Sequence, residues 1–374
     1  MTTGSERIQR IAVTLGVVAL VGWWGAITFT INNREHDAIL IDFVAFWAAA
    51  KLAVSGDAMA VWDPALFEIA QDAPREGDSK MPWFYPPTFH LVMTPFGTLP
   101  FSIAYGMFLL ISVGGFWTML NRIVPQATGL LLLSPAVCLT LMLGNNTLIF
   151  ATCLMAALLW MDRPGRAGLT IAAMSLKPSL GPMIVPALLA SGRWRVILWA
   201  SIGTLALAGV ATLAFGPEYW QEFRNGTRIA MNRIKPDAAE TSRMISWYAF
   251  GRHFGLGTST ALALHLGTVA ALAASIIALW SRTRTRSEWR AAVLALGVAM
   301  TSPHAFHYEM VFAVVALAFA FRAGLGPIGT IVAALLWLGP VVGIWPLRLV
   351  PLVSYAAPLL SLGVLYCTIR GLRD

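Results

Sequence analysis

A lone aspartate, Asp42, sits beside Phe43 and close to Trp47 in the segment ILIDFVAFWAAAKLAV, residues 39–54. A carboxylate among apolar side chains is costly unless it is paired or opens onto a water-filled cleft. In such a cleft it can take the proton of an acceptor hydroxyl as a general base. The plainer reading is a helix N-terminal carboxylate favoured by the macrodipole. Lys177 lies in equally apolar surroundings, AAMSLKPSLGPM. An ionisable group at that depth calls for a partner, and Pro178 breaks the helix beside it, a setting that suits a bound phosphate. A lysine snorkelling to an interface explains the same pattern. Arg224, Arg228, Arg233, Lys235 and Arg243 crowd the loop 224–243. A lipid phosphate is the natural counter-charge, and balance against the acidic first loop is the alternative.

Other polar groups are less specific. Asn145 and Asn146 in LGNNTL read as ordinary turn chemistry. Trp83 and Tyr85 in WFYPPTFHLVMTPFGTLP, residues 83–100, stand in a rigid re-entry turn that can also wall a lipid or sugar groove. The run Ser302-Pro303-His304-Ala305-Phe306-His307-Tyr308-Glu309 places two histidines and a carboxylate between apolar segments. A zinc site would need a third ligand from elsewhere, and no HExxH or paired-cysteine pattern supplies one. No metal or other cofactor is expected, and a divalent ion has no support in the ligand spacing. Phosphate-binding glycine loops and dinucleotide fingerprints are absent from the sequence, so a nucleotide donor is unsupported. One carboxylate and several cations fit an activated group carried on a lipid phosphate, whose leaving group needs no general acid.

These groups must be held by membrane helices. Of the 374 residues, 57% are apolar and only 12% charged, about half the charge of a soluble domain. Stretches such as 11–31, 196–215 and 259–281 lack any charge for the ~20 residues that cross a hydrocarbon core. Cutting at polar punctuation predicts helices near 11–31, 101–121, 127–143, 147–161, 167–176, 180–191, 196–215, 259–281, 290–302, 307–321, 326–344 and 350–369. The pair 167–176 and 180–191 reads as a broken or re-entrant hairpin. Residues 39–54 and 61–70 read as short interfacial helices, the second opened by Asp63-Pro64. The expected fold is an all-α polytopic membrane protein, one integral membrane domain over 1–374 with about 10–12 transmembrane or re-entrant helices.

Charge sets the orientation. The net charge is +8, but the basic residues fall in short clusters between apolar runs, which argues against nucleic acid as a partner and for topology signals. Arg122, Arg163, Arg166, Arg193, Arg195, Arg282, Arg284, Arg286, Arg322, Arg370 and Arg373 all fall on alternate turns. The expectation is a multi-pass plasma-membrane protein with cytoplasmic termini and its long loops, 32–100 and 216–258, on the opposite face.

Asp42-Phe43, Tyr85-Pro86-Pro87, Gly144-Asn145, Lys177-Pro178 with Arg193-Trp194-Arg195, and Ser302-Pro303-His304 with Tyr308-Glu309 occur in an order that resembles glycosyltransferase family 87. The sequence departs from the family pattern at Asn145 (Gln is usual), at Ser179 (Gln is common) and at Glu309 (Asp is usual). The resemblance implies a GT-C-type fold and transfer of mannose, or a related sugar, from a polyprenyl phosphate to a lipid or glycan acceptor. It also implies Asp42 as catalytic base, Lys177 as phosphate contact and His304 as a donor-site residue. On that reading Arg228, Arg233 and Arg243 assist at the phosphate, and Trp83, Tyr85, Asn145, His307 and Glu309 border the substrate groove. A transporter or flippase of an anionic lipid or lipid-linked sugar would use the same broken helix and cations. It should, however, carry polar residues deep in several spans, whereas here the charges gather at one face.

Overall fold

The computed structural model describes residues 41–73, 80–233, 244–343 and 356–374. The expected first span, 11–31, lies outside them. In chain order the helices are α1 (Ile41–Val54), α2 (Pro64–Asp72), α3 (Pro87–Met93), α4 (Phe101–Ile123), α5 (Thr128–Leu132), α6 (Pro135–Leu143), α7 (Thr147–Leu159), α8 (Pro164–Met174), α9 (Ile184–Ala190), α10 (Trp194–Phe215) and α11 (Glu218–Arg233). They continue with α12 (Trp247–His253), α13 (Thr258–Trp280), α14 (Ser287–Met300), α15 (Val311–Ala323), α16 (Pro327–Gly343) and α17 (Ala356–Arg373). Short 3₁₀ turns intervene at Ala58–Trp62, Thr94–Thr98, Pro178–Leu180 and His307–Met310.

Among the described residues, α4, α10 and α13 are long and apolar enough to cross a membrane. The segment Pro125–Leu132 and α6 make a fourth candidate if their 52° bend is one broken span. The continuous helix expected over 127–143 is thus interrupted, because Pro135 cannot donate to the preceding turn. The break expected around Lys177 is present: α8 stops at Met174 and α9 begins at Ile184. The long loop 216–258, in which the sequence marked no helix, carries α11 and α12.

The chain divides into two units, with the division falling inside α4 and α6. One, the Asp42 unit, comprises among the described residues 41–73, 80–116 and 140–233. At its centre is α1, an alanine-rich helix with Asp42 in its first turn and Lys51 in its last, each charge complementing the adjacent end of the helix dipole. Residues 42–50 are all buried. The 3₁₀ turn Thr94–Thr98 packs backbone to backbone on α1, and Trp47 Nε1–H donates to Leu99 O at 3.1 Å. Asp63 caps α2 as its sequence predicts, its Oδ1 accepting from Ala65 N at 2.9 Å and Leu66 N at 3.3 Å. Gln71, buried at the end of α2, bonds Met81 through both amide groups and so joins the two ends of the intervening loop. Helices α8 and α10 approach closely through small residues: a Cβ on Gly168 would lie 2.4 Å from Trp199 Cβ, and one on Gly203 would lie 2.7 Å from Ala172 Cβ. The other flank of α10 exposes Leu198, Ile202, Leu205 and Leu213, as a lipid-facing surface does.

The other, the His304 unit, comprises among the described residues 117–139, 244–343 and 356–374. Its core is the pair α14 and α15, whose residues from 291 to 300 and from 311 to 320 are all buried. Around that pair pack α13, α16 and α17.

Two glycine substitutions test the packing. Alanine at Gly97 would place its Cβ 2.3 Å from the Ala50 carbonyl oxygen, a backbone atom that cannot yield. Gly97→Ala should cost about 1–3 kcal/mol and lower the melting temperature in detergent. Gly106 in α4 has nothing within 4 Å, so Gly106→Ala should match or exceed the parent by up to ~1 kcal/mol. The reverse order in a thermal-unfolding assay would contradict the packing described.

Candidate active site

The start of α1 meets the turn between α6 and α7. That turn needs Gly144, which has φ +66° and whose missing Cβ would lie 2.6 Å from Phe43 Cβ. A side chain there would be strained and would push α1 away. The close approach brings Asn145 to Asp42. Asn145 Oδ1 accepts from Thr147 N at 2.9 Å and from the Thr147 hydroxyl at 2.6 Å. Its amide oxygen is therefore committed to the start of α7, and its NH₂ faces Asp42, donating to Oδ2 at 3.2 Å. Asp42 is 6% exposed and Asn145 2%.

Burial pushes the Asp42 carboxyl up to about 6. Two groups oppose that shift by favouring the anion: the Asn145 hydrogen bond first, then the ammonium of Lys177. Lys177 stands half-buried at the break after α8, immediately before the 3₁₀ turn Pro178–Leu180. Three residues far apart in sequence thus form one electrostatic cluster inside the Asp42 unit. Sequence reasoning picked out Asp42 and Lys177. It set Asn145 in the groove wall, whereas the structure bonds it to the carboxylate.

Aromatic rings build the floor. Phe43 contacts Phe101, Tyr105 and Phe108 at 5.0–5.5 Å between centroids. Tyr85 is half-buried, stacks on Phe89 at 4.2 Å and meets Phe46 edge-on at 5.3 Å. Trp83 is 2% exposed and is enclosed by Phe67, Phe89 and His90. It supports the aromatic layer from behind and presents no face of its own to a groove. A cavity of about 150 Å³ lies in the same unit, lined by Phe89, Phe108, Asn146, Phe150, Cys153 and Leu176 among others, with an apolar surface. Two of these residues, Asn146 and Leu176, adjoin Asn145 and Lys177 in the chain. Asn146 is fully buried, and its amide makes no hydrogen bond among the described residues.

The cations of the second long loop divide. Arg228 is exposed on α11, as is Arg224 one turn earlier. Arg233 is the last residue of α11. Arg243 lies outside the described residues. His304, His307 and Glu309 belong to the His304 unit. There the segment 303–306 is stitched to 244–246: Ile245 N donates to Ala305 O at 2.8 Å, and the Ser246 hydroxyl donates to Pro303 O at 2.5 Å. His304 lies 5.6 Å from the Tyr248 ring, and burial, with the neighbouring His265, lowers its pKa. Glu309 is 4% exposed and His307 half-buried. Among the described residues no group of three His, Cys, Asp or Glu side chains is placed to hold a metal ion.

Sequence reasoning missed a second buried polar pair in the Asp42 unit, His90 with Tyr219. The only local signal was a histidine inside the apolar run TFHLVM.

The model of glycosyltransferase family 87 matches residues 83–303, more than half of the chain. The match contains Asn145, Lys177 and Arg228, begins after Asp42 and ends just before His304. No curated protein and no solved structure matches the chain.

The cluster makes a direct electrostatic prediction. Removing the Asn145 amide takes away a bond made to the anion, so Asn145→Leu should raise the Asp42 pKa further above its parent value of about 6, by about one unit. The pH dependence of the carboxylate infrared band measures this, with Asp42→Asn assigning the band. An unchanged or lowered midpoint would contradict the pairing.

Proposed function

The chain belongs to glycosyltransferase family 87 and is a membrane glycosyltransferase; from that premise we propose that it moves a hexose, mannose by the family resemblance, from a polyprenyl-phosphate donor to a hydroxyl of a lipid or glycan acceptor. The observation that carries this reading is the buried Asp42 carboxylate, oriented by Asn145 and under the field of Lys177.

In the proposed reaction Asp42 takes the proton of the acceptor hydroxyl as its oxygen attacks the anomeric carbon. The bond from that carbon to the phosphate oxygen breaks, and the electron pair leaves with the polyprenyl phosphate. Lys177 stabilises the charge gathering on that leaving group, with Arg228 as a further cation. No general acid is needed, because a phosphate diester releases a stable monoester anion. A base with a pKa of about 6 is ionised at neutral pH yet still basic enough to accept a proton in the transition state. The apolar cavity of about 150 Å³ supports a lipid-borne donor, since a dry site of that size accepts a small hydrocarbon group, comparable to one isoprene unit.

Charge placement supports the site facing away from the cytoplasm of the plasma membrane, with both termini cytoplasmic. The acidic loop 32–100 carries Asp42, and the basic turns fall on the opposite side of the apolar segments.

Purified protein with a panel of polyprenyl-phosphate sugars tests the reading, label transfer to an acceptor being the expected result. Asp42→Asn should lower turnover by about 10²–10⁴-fold without loss of folded protein, because it removes a buried charge and keeps the side-chain shape. Parent activity should fall as pH drops through about 6, where the base takes up its proton. Full activity in Asp42→Asn, or a flat profile between pH 5 and 7, would remove Asp42 from the base role.

A further inference from the structure

His90 takes no part in the chemistry described, yet both of its ring nitrogens are used. It is fully buried in α3, with Nε2 2.7 Å from the Ala49 carbonyl oxygen of α1 and Nδ1 2.5 Å from the Tyr219 hydroxyl of α11. A carbonyl only accepts, so Nε2 carries the hydrogen and Nδ1 offers its lone pair to the Tyr219 O–H. Burial holds the imidazole neutral, its pKa lowered to about 4. Trp83, Phe215 and Tyr219 surround the ring at 5.2–5.7 Å. One histidine therefore connects the helix that bears Asp42 to the helix that bears Arg224 and Arg228.

The two connected helices are held very differently. α1 has four further anchors: Trp47 on Leu99, the backbone contact at Gly97, Phe43 on Gly144, and Asp42 on Asn145. α11 is amphipathic, with Arg224, Asn225, Arg228 and Ile229 exposed along one side. Its other side rests on Trp62: a Cβ at Gly226 would lie 2.1 Å from that indole, and Phe223 and Tyr219 contact it at 6.0 Å. The Trp220 indole N–H donates back to Thr212 of the preceding α10, at 2.8 Å. Cutting the His90 link therefore loosens α11, which keeps its packing on Trp62, and leaves α1 in place.

We propose that His90 is a positioning residue that, through Tyr219, holds the basic face of α11 in register with the Asp42 helix, so that the hydrogen bond between them tunes binding of the donor's phosphate and not the proton transfer. The proposal rests on the donor reading above.

Tyr219→Phe deletes only the hydroxyl and keeps the ring contacts. The expected result is a KM for a polyprenyl-phosphate sugar raised about tenfold, the factor of ~1.4 kcal/mol, with kcat within about twofold of the parent. His90→Leu should raise KM as Tyr219→Phe does, and the double variant should be no worse than the poorer single variant, since both changes cut the His90–Tyr219 link while Tyr219→Phe also takes the hydroxyl from Trp83 and Trp62. His90→Asn sets a carbonyl oxygen near the place of Nδ1 and should bring KM back towards the parent value. An unchanged KM in Tyr219→Phe overturns the proposal. So does an effect confined to kcat, or a His90→Asn variant as poor as His90→Leu. If His90→Leu does not fold, Tyr219→Phe and His90→Asn decide. A parent protein that transfers no label refutes the donor reading itself; a parent that saturates normally, beside a Tyr219→Phe variant of equal KM, refutes only the positioning role.

Discussion

A carboxylate has been taken out of water at Asp42, and the Asp42 unit is arranged around that fact. Burying an ionisable group disfavours its charged form, and the raised pKa of about 6 records the residual imbalance. Were nothing set against burial, the group would simply stay protonated. Asn145 and Lys177 supply the opposing terms, and neither is near Asp42 in the chain. Their approach requires helix α1 to be enclosed, the 144–146 turn to pass within van der Waals contact of Phe43, and α8 to stop short of Lys177. The positive φ of Gly144 and the bare Cα of Gly97 are consequences of bringing backbone that close to a buried helix.

Rigidity is unevenly distributed as a result. α1 is fixed at both ends and along its length by backbone contact, aromatic packing and hydrogen bonds, so the carboxylate has one orientation. The elements that carry the cations are held at fewer points: Lys177 stands at a helix break, and α11 packs on Trp62 with Tyr219 bonded to His90. For the chemistry proposed this is a sensible division. Proton transfer demands accurate placement of one atom, whereas an anion can be stabilised by cations whose positions vary by fractions of an ångström, since Coulomb attraction falls slowly with distance.

The parts legible in the sequence are those written locally. Charge-free runs near 196–215 and 259–281 return as α10 and α13 to within two residues, Asp63-Pro64 caps α2, and Lys177-Pro178 breaks the helix where proline must. What escaped notice depends on distant partners or on mixed signals. Asn145 in a Gly-Asn turn looks like turn chemistry, and only the fold reveals a carboxylate 103 residues away in the chain. α11 was hidden because Gly226 and its charged residues mask the spacing of Tyr219, Phe223 and Gly226, which together face Trp62. Trp83 was given a wall because aromatic density beside prolines suggests a groove, but a ring that large is more economically used as core.

For the proposed base role, the raised pKa of Asp42 answers competing demands. Full compensation of burial would return it to the ordinary carboxylate range, where it would be ionised at all relevant pH but a weak proton acceptor. No compensation would keep its proton on at neutral pH and leave nothing to accept another. Partial compensation, by one neutral amide and one lysine ammonium, sets it between these limits. In the proposed reaction Lys177 then has two tasks that pull the same way. Before reaction its charge favours the carboxylate. As the proposed transfer proceeds Asp42 becomes neutral and negative charge appears on the departing phosphate, so the ammonium exchanges one anion for another. In the proposed reaction a cation shared in this way stabilises both ends, which is why a buried carboxylate and a lysine ammonium are more useful together than either is alone.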